Sequence, residues 1–417
     1  ITAVIGLAAN IYALADIDRR YQALGFHPFF QTLMAAISGA FLTGDLFNLY
    51  VWFEVMLMAS FGLLVMGGEP RQLDGGVKYV TLNLIATLMF ITGLGLLYAL
   101  TGTLNLADLH AKVPLSAAPG LMTAVAMLFV MAFGLKAGAF PLFFWLPASY
   151  HTPPTAIAAV FSGLLTKVGV YALLRVFSLV FIHDVDTTHA LILLMACLTM
   201  VTGVLGAAAQ SAIRRILAFH IVSQVGYMIL GLGLFTPLAL AGTVFYLVHH
   251  IIVKANLFLI SGLVKRIDGH DDLQKLGGLY QRSGLVAVLF LIPAFSLAGF
   301  PPLSGFWAKF ILIQASLEIG AYGAAAVALV VGLLTLYSMT KIWVAAFWRP
   351  LPAGTAATAD QTDGALPLPM LAPVAVLAAV TLALGLGAQP LLDTALAAAE
   401  ELLDPRFYVQ AVLGGGP

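Results

Sequence analysis

Apolar residues along this chain come in long unbroken runs, not in alternation and not on one face of a short helix. Stretches of about 20 apolar residues recur from end to end, the length at which a helix crosses a hydrocarbon core. About twelve spans can be drawn, at 1–14, 27–45, 46–67, 77–100, 120–146, 154–182, 188–208, 211–234, 238–263, 283–317, 322–348 and 366–388. The runs lack the period-two alternation of a membrane barrel, and a soluble core helix would carry a polar face. The pattern therefore predicts an all-α polytopic membrane protein. Connections are short except "RPLPAGTAATADQTDGALPLP" (349–369), which reads as a flexible loop. The tail "LLDTALAAAEELLDP" (391–405) is predicted to be an amphipathic surface helix.

Two spans contain prolines where a helix interior does not tolerate them. The first reads "FGLKAGAFPLFFWLP" (Phe133 to Pro147) and the second "FSLAGFPPLSGFWAKF" (Phe295 to Phe310). Both carry Ala-Gly, then Phe-Pro, Leu and Phe-Trp in the same order. In lipid a broken helix survives only where protein buries it or it lines a wet cavity. Breaks in matching places predict two structural repeats, as in many transporters. The division expected is a first helix and loop over 1–26, repeats over 27–182 and 183–348, and a loop, last span and tail over 349–417.

Composition agrees with this reading. The 417 residues are 61% hydrophobic and 9% charged, with mean hydropathy +1.01, which would leave a soluble protein an apolar surface. The 19 basic and 19 acidic residues cancel, so neither a nucleic acid nor another bulk electrostatic partner is expected. The single Cys197, in "LILLMACLTM", reads as a small packing residue. The chain opens on isoleucine inside an apolar segment with no signal peptide in view. The natural N-terminus, with further helices, is expected to precede it. Counted over alternate ends of the spans, Arg19, Arg20, Arg71, Lys78, Arg214, Arg215, Lys265, Arg266, Lys275, Arg282 and Arg349 fall on one side. Only Lys112 and Arg406 fall on the other. The basic side is the expected cytoplasmic one.

Ionisable residues inside the spans are the candidate machinery, since charge in a bilayer is expensive and functional by default. Glu54 stands in "NLYVWFEVMLMASFGLLVMG" and Lys136 directly before the first break. Lys167 stands in "VFSGLLTKVGVYALLRVF", with Tyr171 and Arg175 four and eight residues on and expected on one face. His249, His250 and Lys254 lie in "FYLVHHIIVKANLFLI", and Lys309 follows the second break. Lysine and histidine can lose and regain a proton inside a protein, whereas arginine keeps its charge. The expected arrangement is a hydrated proton row with Glu54 as the switchable counter-ion of Lys136. His220 and Gln224, one turn apart in "RRILAFHIVSQVGYM", could extend it or only bond between helices; Lys341 is a candidate exit group. Asp45 reads as a helix cap. Glu318 reads as solvated, and His27, His110, His151, His183 and His189 lie at span ends or in loops, outside the row. Neither a metal-ligand spacing, a nucleotide or flavin motif nor a nucleophile motif is found, so no cofactor and no catalytic residue is expected.

These residues resemble the antiporter-like membrane subunits shared by respiratory complex I, membrane-bound hydrogenases and Mrp-type cation/proton antiporters. The resemblance rests on "FEVMLMASFGLL", "LKAGAFPLFFWLP", "PPTAIAAVFSGLLTKVGVYALLR", "HHIIVKANLFLISG" and "AGFPPLSGFWAKF". With "TGTLNLADL" added, it is most similar to the D-type subunits of the Mrp branch. The resemblance implies a fold of about fourteen helices with two inverted five-helix repeats, of which the third to the last lie here. It makes Glu54 the fifth-helix glutamate, Lys136 its partner on the broken seventh and Lys167 the lysine of the eighth. It places His249 and His250 in the polar region of the eleventh helix and makes Lys309 the terminal group on the broken twelfth. It further implies a multi-subunit assembly in a prokaryotic cell membrane, with a homologous large subunit and small membrane subunits as partners. There Na⁺ or another monovalent cation leaves as protons enter. The alternatives are a proton-pumping subunit of a complex I-like NADH:quinone oxidoreductase or hydrogenase, and a scaffold whose buried charges only fix helix packing.

Overall fold

The computed structural model describes residues 1–352 and 366–414. Its spans are α1 (Thr2–Asp16), α2 (Phe26–Leu42), α3 (Leu46–Val65), α4 (Pro70–Thr101), α5 (Pro119–Ala137), α6 (Thr155–Leu179), α7 (Val185–Ala208), α8 (Ile213–Leu234) and α9 (Pro237–Asp268). They continue with α10 (Gly284–Ala298), α11 (Ser304–Glu318), α12 (Tyr322–Trp348) and α13 (Leu368–Leu386). Nine of these are long and apolar enough to cross a membrane alone, and α1, α2 and α10 are shorter apolar helices. α10 continues past a break as α11, so twelve crossings result among the described residues, each close to an expected span. The protein is an all-helical polytopic membrane protein. The connection expected to be flexible lies mostly outside the described residues.

Burial separates a centre from a rim. In α6, α8 and α9 the apolar windows are 94, 89 and 89% buried inside the protein, against 39% in α4, α7, α12 and α13. A rim helix turns a face to lipid, whereas a helix buried all round meets only protein, so its polar groups point inward. Lys167, His220, His249, His250 and Lys254 lie on these central spans, whereas Glu54 and Lys136 lie on α3 and α5, whose windows are 44 and 61% buried.

The two halves keep a common register. α4 and α9 each have 32 residues, start with proline after a capping residue (Glu69, Thr236), and lie 167 positions apart, from 70 to 237 and from 101 to 268. Isolated backbone bridges repeat the spacing, Asp45 with Asn105 and Ala212 with Asp272. Five crossings separate the corresponding helices, so the second copy runs through the membrane in the opposite direction. The repeats are therefore inverted.

Both breaks follow one recipe. α5 stops at Gly138 (φ 78°) and α10 at Gly299 (φ 93°), the left-handed cap that glycine adopts without strain. The carbonyls freed at each break still find donors, as burial requires. Leu135 O accepts from the Trp145 indole at 3.1 Å in the first break. Leu297 O and Ala298 O accept from Lys309 Nζ at 3.0 and 2.9 Å in the second.

The halves meet along α6 and α9, where small residues let the backbones close up. A methyl group on Gly163 would stand 3.2 Å from Ala255 Cβ and 3.3 Å from Ile251 O. Tyr12 of α1 ties into the same seam, donating to Leu259 O at 2.9 Å. The amphipathic tail forms α14 (Gln389–Leu403), which buries Ala395 and Ala399 against α9 and α6, followed by the surface helix α15 (Arg406–Leu413).

Candidate functional site

At one end of the centre, Glu54 of α3 faces Lys136 in the last turn of α5. Lys136 Nζ stands 3.9 Å from Glu54 Oε1, and 5.0 Å above the Phe53 ring. Thr87 of α4 lies between them: its hydroxyl donates to Glu54 Oε1 at 2.6 Å and accepts from Lys136 Nζ at 3.3 Å. The lysine side chain is 3% exposed and the glutamate 27%. Glu54 borders an open cavity of about 460 Å³ lined by Pro28, Phe29, Thr32 and Met58. One end of the pair is thus sealed and the other reachable from the flank of the molecule. Nearby, Ser60 and Tyr79 share a 2.6 Å hydrogen bond.

Lys167 is fully buried on α6, just after a wide π turn over Phe161–Leu165. Such a turn loosens the backbone bonds of its residues, and Lys167 Nζ donates to the carbonyl of Ser162. Between Lys136 and Lys167 the link is backbone. A methyl group added to Gly169 would meet Ala137 N at 2.6 Å and the Lys136 carbonyl carbon at 2.9 Å. Gly169→Ala is therefore expected to wedge α5 from α6 beside Lys136, at a cost of about 1–3 kcal/mol. Thermal unfolding of the purified complex and its proton exchange should both fall; an unchanged midpoint and rate would contradict this close approach.

The remaining groups gather on α8, α9 and α11. His220, Gln224, His249, His250 and Lys254 are all fully buried. His249 Nδ1 shares a hydrogen bond of 2.8 Å with Ser304 Oγ, which lies 3.0 Å from Ser296 Oγ at the second break. The Tyr246 hydroxyl donates to Gln224 Oε1 and its ring stacks on Tyr227. Lys309 Nζ sits 5.0 Å from the centre of the Tyr227 ring. Lys254 lies within electrostatic reach of Lys167, Lys309, His220, His249 and His250. Among the described residues, Lys254 Nζ, both ring nitrogens of His220 and of His250, His249 Nε2 and Gln224 Nε2 have no protein hydrogen-bond partner.

Two candidates lie elsewhere. Arg175 stacks its guanidinium 4.2 Å from the centre of the Tyr408 ring of α15, and Tyr171 donates to Phe41 O at 3.0 Å. Arg175 leaves the face of Lys167, because eight residues at 3.6 per turn drift by about 80°. Lys341 caps the end of α7, donating to Ala208 O at 3.0 Å and Gln210 O at 2.6 Å. Asp45 caps α3, accepting from Asn48 N at 2.9 Å.

Two histidines at span ends are held by backbone: His110 Nδ1 meets Leu179 O at 2.8 Å, and His151 Nδ1 meets Pro147 O at 2.9 Å. Burial, followed by the charge of Arg215, pushes the His151 imidazole below its ordinary range, so it stays neutral near pH 7. Hydrogen bonding from Thr187 holds the Asp184 carboxyl low on the opposite side.

Thr87, Tyr246, Ser296 and Ser304 do not stand out in the sequence. The usable signal for Thr87 is the pair Asn83 and Thr87, one turn apart within the apolar "VTLNLIATLMF".

Known proteins share both this sequence and this fold. The family model described as NADH:quinone oxidoreductase/Mrp antiporter, TM, matches residues 43–335. The chain is 49% identical over 413 residues to the D-type subunit of the Na(+)/H(+) antiporter of Alkalihalophilus pseudofirmus, covering 99% of this chain and 83% of the relative. It is 41% identical over 418 residues to the namesake of that protein in Bacillus subtilis, covering 99% and 83%. Its fold matches a chain of the Mrp complex from Dietzia sp. with TM-score 0.87 and 37% identity, over 99% of this chain and 84% of that one.

Proposed function

Because this chain belongs to the NADH:quinone oxidoreductase/Mrp antiporter membrane-subunit family, we propose that it is the proton-carrying D-type subunit of a multi-subunit Na⁺/H⁺ antiporter in a prokaryotic cell membrane. It acts there as a transporter subunit with no chemistry of its own, beside a homologous large subunit and small membrane subunits.

The observation that carries this reading is the buried group of unpartnered proton carriers around Lys254. Leaving one buried polar atom unsatisfied costs about 1–3 kcal/mol, and seven such nitrogens on His220, Gln224, His249, His250 and Lys254 lie on neighbouring faces of α8 and α9. A fold selected for packing alone would have apolar residues there. Groups that exchange protons with water need this freedom. The proposed route runs from Glu54 and Lys136, past Gly169 to Lys167, then through His250, Lys254 and His249 to Lys309. A polar cleft of about 320 Å³ beside Asp16, Glu69, Arg214 and Lys265 opens at the start of α6 and is the proposed cytoplasmic mouth. The inward proton gradient drives outward movement of the cation.

A second reading, a pumping subunit of a redox-driven complex, rests on the family model, whose description covers both kinds of assembly. Purifying the native complex separates the two. Co-purifying small antiporter subunits and sodium-dependent proton exchange in vesicles, with no quinone or NADH added, are expected. Iron–sulfur subunits in the purified complex would overturn the antiporter reading.

A further inference from the structure

We propose that Thr87 is a proton-carrying residue of this site, passing the proton between Lys136 and Glu54 through its hydroxyl; this rests on the transport reading above. The ammonium and the carboxylate stand 3.9 Å apart, longer than a direct charged hydrogen bond. The Thr87 hydroxyl touches both, with its hydrogen on Glu54 Oε1 at 2.6 Å and an oxygen lone pair facing Lys136 Nζ at 3.3 Å. A hydroxyl has one donor and two acceptor sites, so it can hold both bonds at once.

The step balances without a co-reactant. An N–H bond of the Lys136 ammonium breaks as that proton joins the Thr87 oxygen, and the original Thr87 proton moves to Glu54 Oε1. The products are a neutral amine, an intact hydroxyl and a carboxylic acid. The reverse step recharges the pair.

The internal repeat supplies an independent observation. Residue 87 of α4 and residue 254 of α9 are equivalent positions, since the two 32-residue helices lie 167 apart. The second half has buried Lys254 there. One position of the fold therefore carries an exchangeable proton in both halves, a hydroxyl in one and an amine in the other. Tyr79 and Tyr246 share the same spacing, so the register holds along the helix.

The test compares Thr87→Val with Thr87→Ser in inside-out vesicles containing the whole complex, with NaCl as the probe and a pH-sensitive dye as the readout. Valine keeps the shape and loses the hydroxyl; serine keeps the hydroxyl and loses a methyl. The valine variant is expected to lower the initial rate about tenfold or more, and the serine variant to stay within about threefold of wild type. A packing role predicts the opposite order. Wild-type rates with valine, or equal losses in both, overturn the assignment. Should the valine variant not assemble, alanine against serine at matched subunit amounts decides by the same order. Wild-type vesicles without sodium-dependent exchange would instead overturn the transport reading beneath it.

Discussion

Replacing Glu54 with glutamine is expected to cut sodium-dependent proton exchange about a hundredfold while the complex still assembles. Glutamine keeps the size of the side chain and can still accept the Thr87 hydrogen bond, so packing around α3 and α4 is preserved. It removes the only carboxylate within ion-pair distance of Lys136 among the described residues. A buried ammonium without its counter-charge costs several kcal/mol, so the pair can no longer alternate between a charged and a neutral state. Glu54→Asp keeps the charge but pulls the carboxylate back by one methylene from Thr87, and an intermediate rate is expected. Exchange is read as dye recovery after a sodium pulse, with subunit amounts checked by immunoblot. Wild-type rates in the glutamine variant would remove the ion pair from the mechanism.

Lys254→Met is expected to separate stability from transport. Methionine has nearly the length of lysine and no charge, and Lys254 Nζ has no protein partner in its fully buried position. Removing that unsatisfied group should leave the complex as stable as wild type or firmer by about 1–3 kcal/mol. Transport should fall by about tenfold or more, since the proposed route passes from Lys167 through this amine toward Lys309. Thermal unfolding of the purified complex and vesicle exchange measure the two effects. If both stability and exchange are retained, the buried charges only pack the helices. If stability drops sharply, Lys254 has a structural partner.

Much of the architecture is legible in the sequence because lipid imposes long, simple patterns. The twelve crossings, the breaks at Gly138 and Gly299, and the burial of Lys136, Lys167 and Lys309 follow from run length, proline placement and the cost of charge in hydrocarbon. What escapes depends on rotation and on neighbours. Counting turns groups Arg175 with Lys167, but the drift of the helix brings it to Tyr408 on the surface. Lys341 reads as an exit group, yet it is aimed at the carbonyls that end α7. Thr87 stays hidden because one threonine in an apolar helix usually bonds its own backbone. Only the positions of α3 and α5 beside it reveal the bridge. The register between halves emerges from the structure, in equal helix lengths and matching bridges 167 residues apart, since the two sequences agree mainly at the breaks.

The seam between α6 and α9 restricts how the molecule can work. Transporters built from inverted halves often operate as rockers, one half tilting against the other around a fixed site. Here Gly163 would press any added methyl group into Ala255 and the Ile251 carbonyl, and the Tyr12 hydroxyl pins Leu259 from a third helix. Tilting would shear backbones already in close approach along the route proposed for the proton. On the transport reading proposed above, this seam makes the subunit a stationary conductor in which a few side chains move, and a large swing is expected only elsewhere in the assembly.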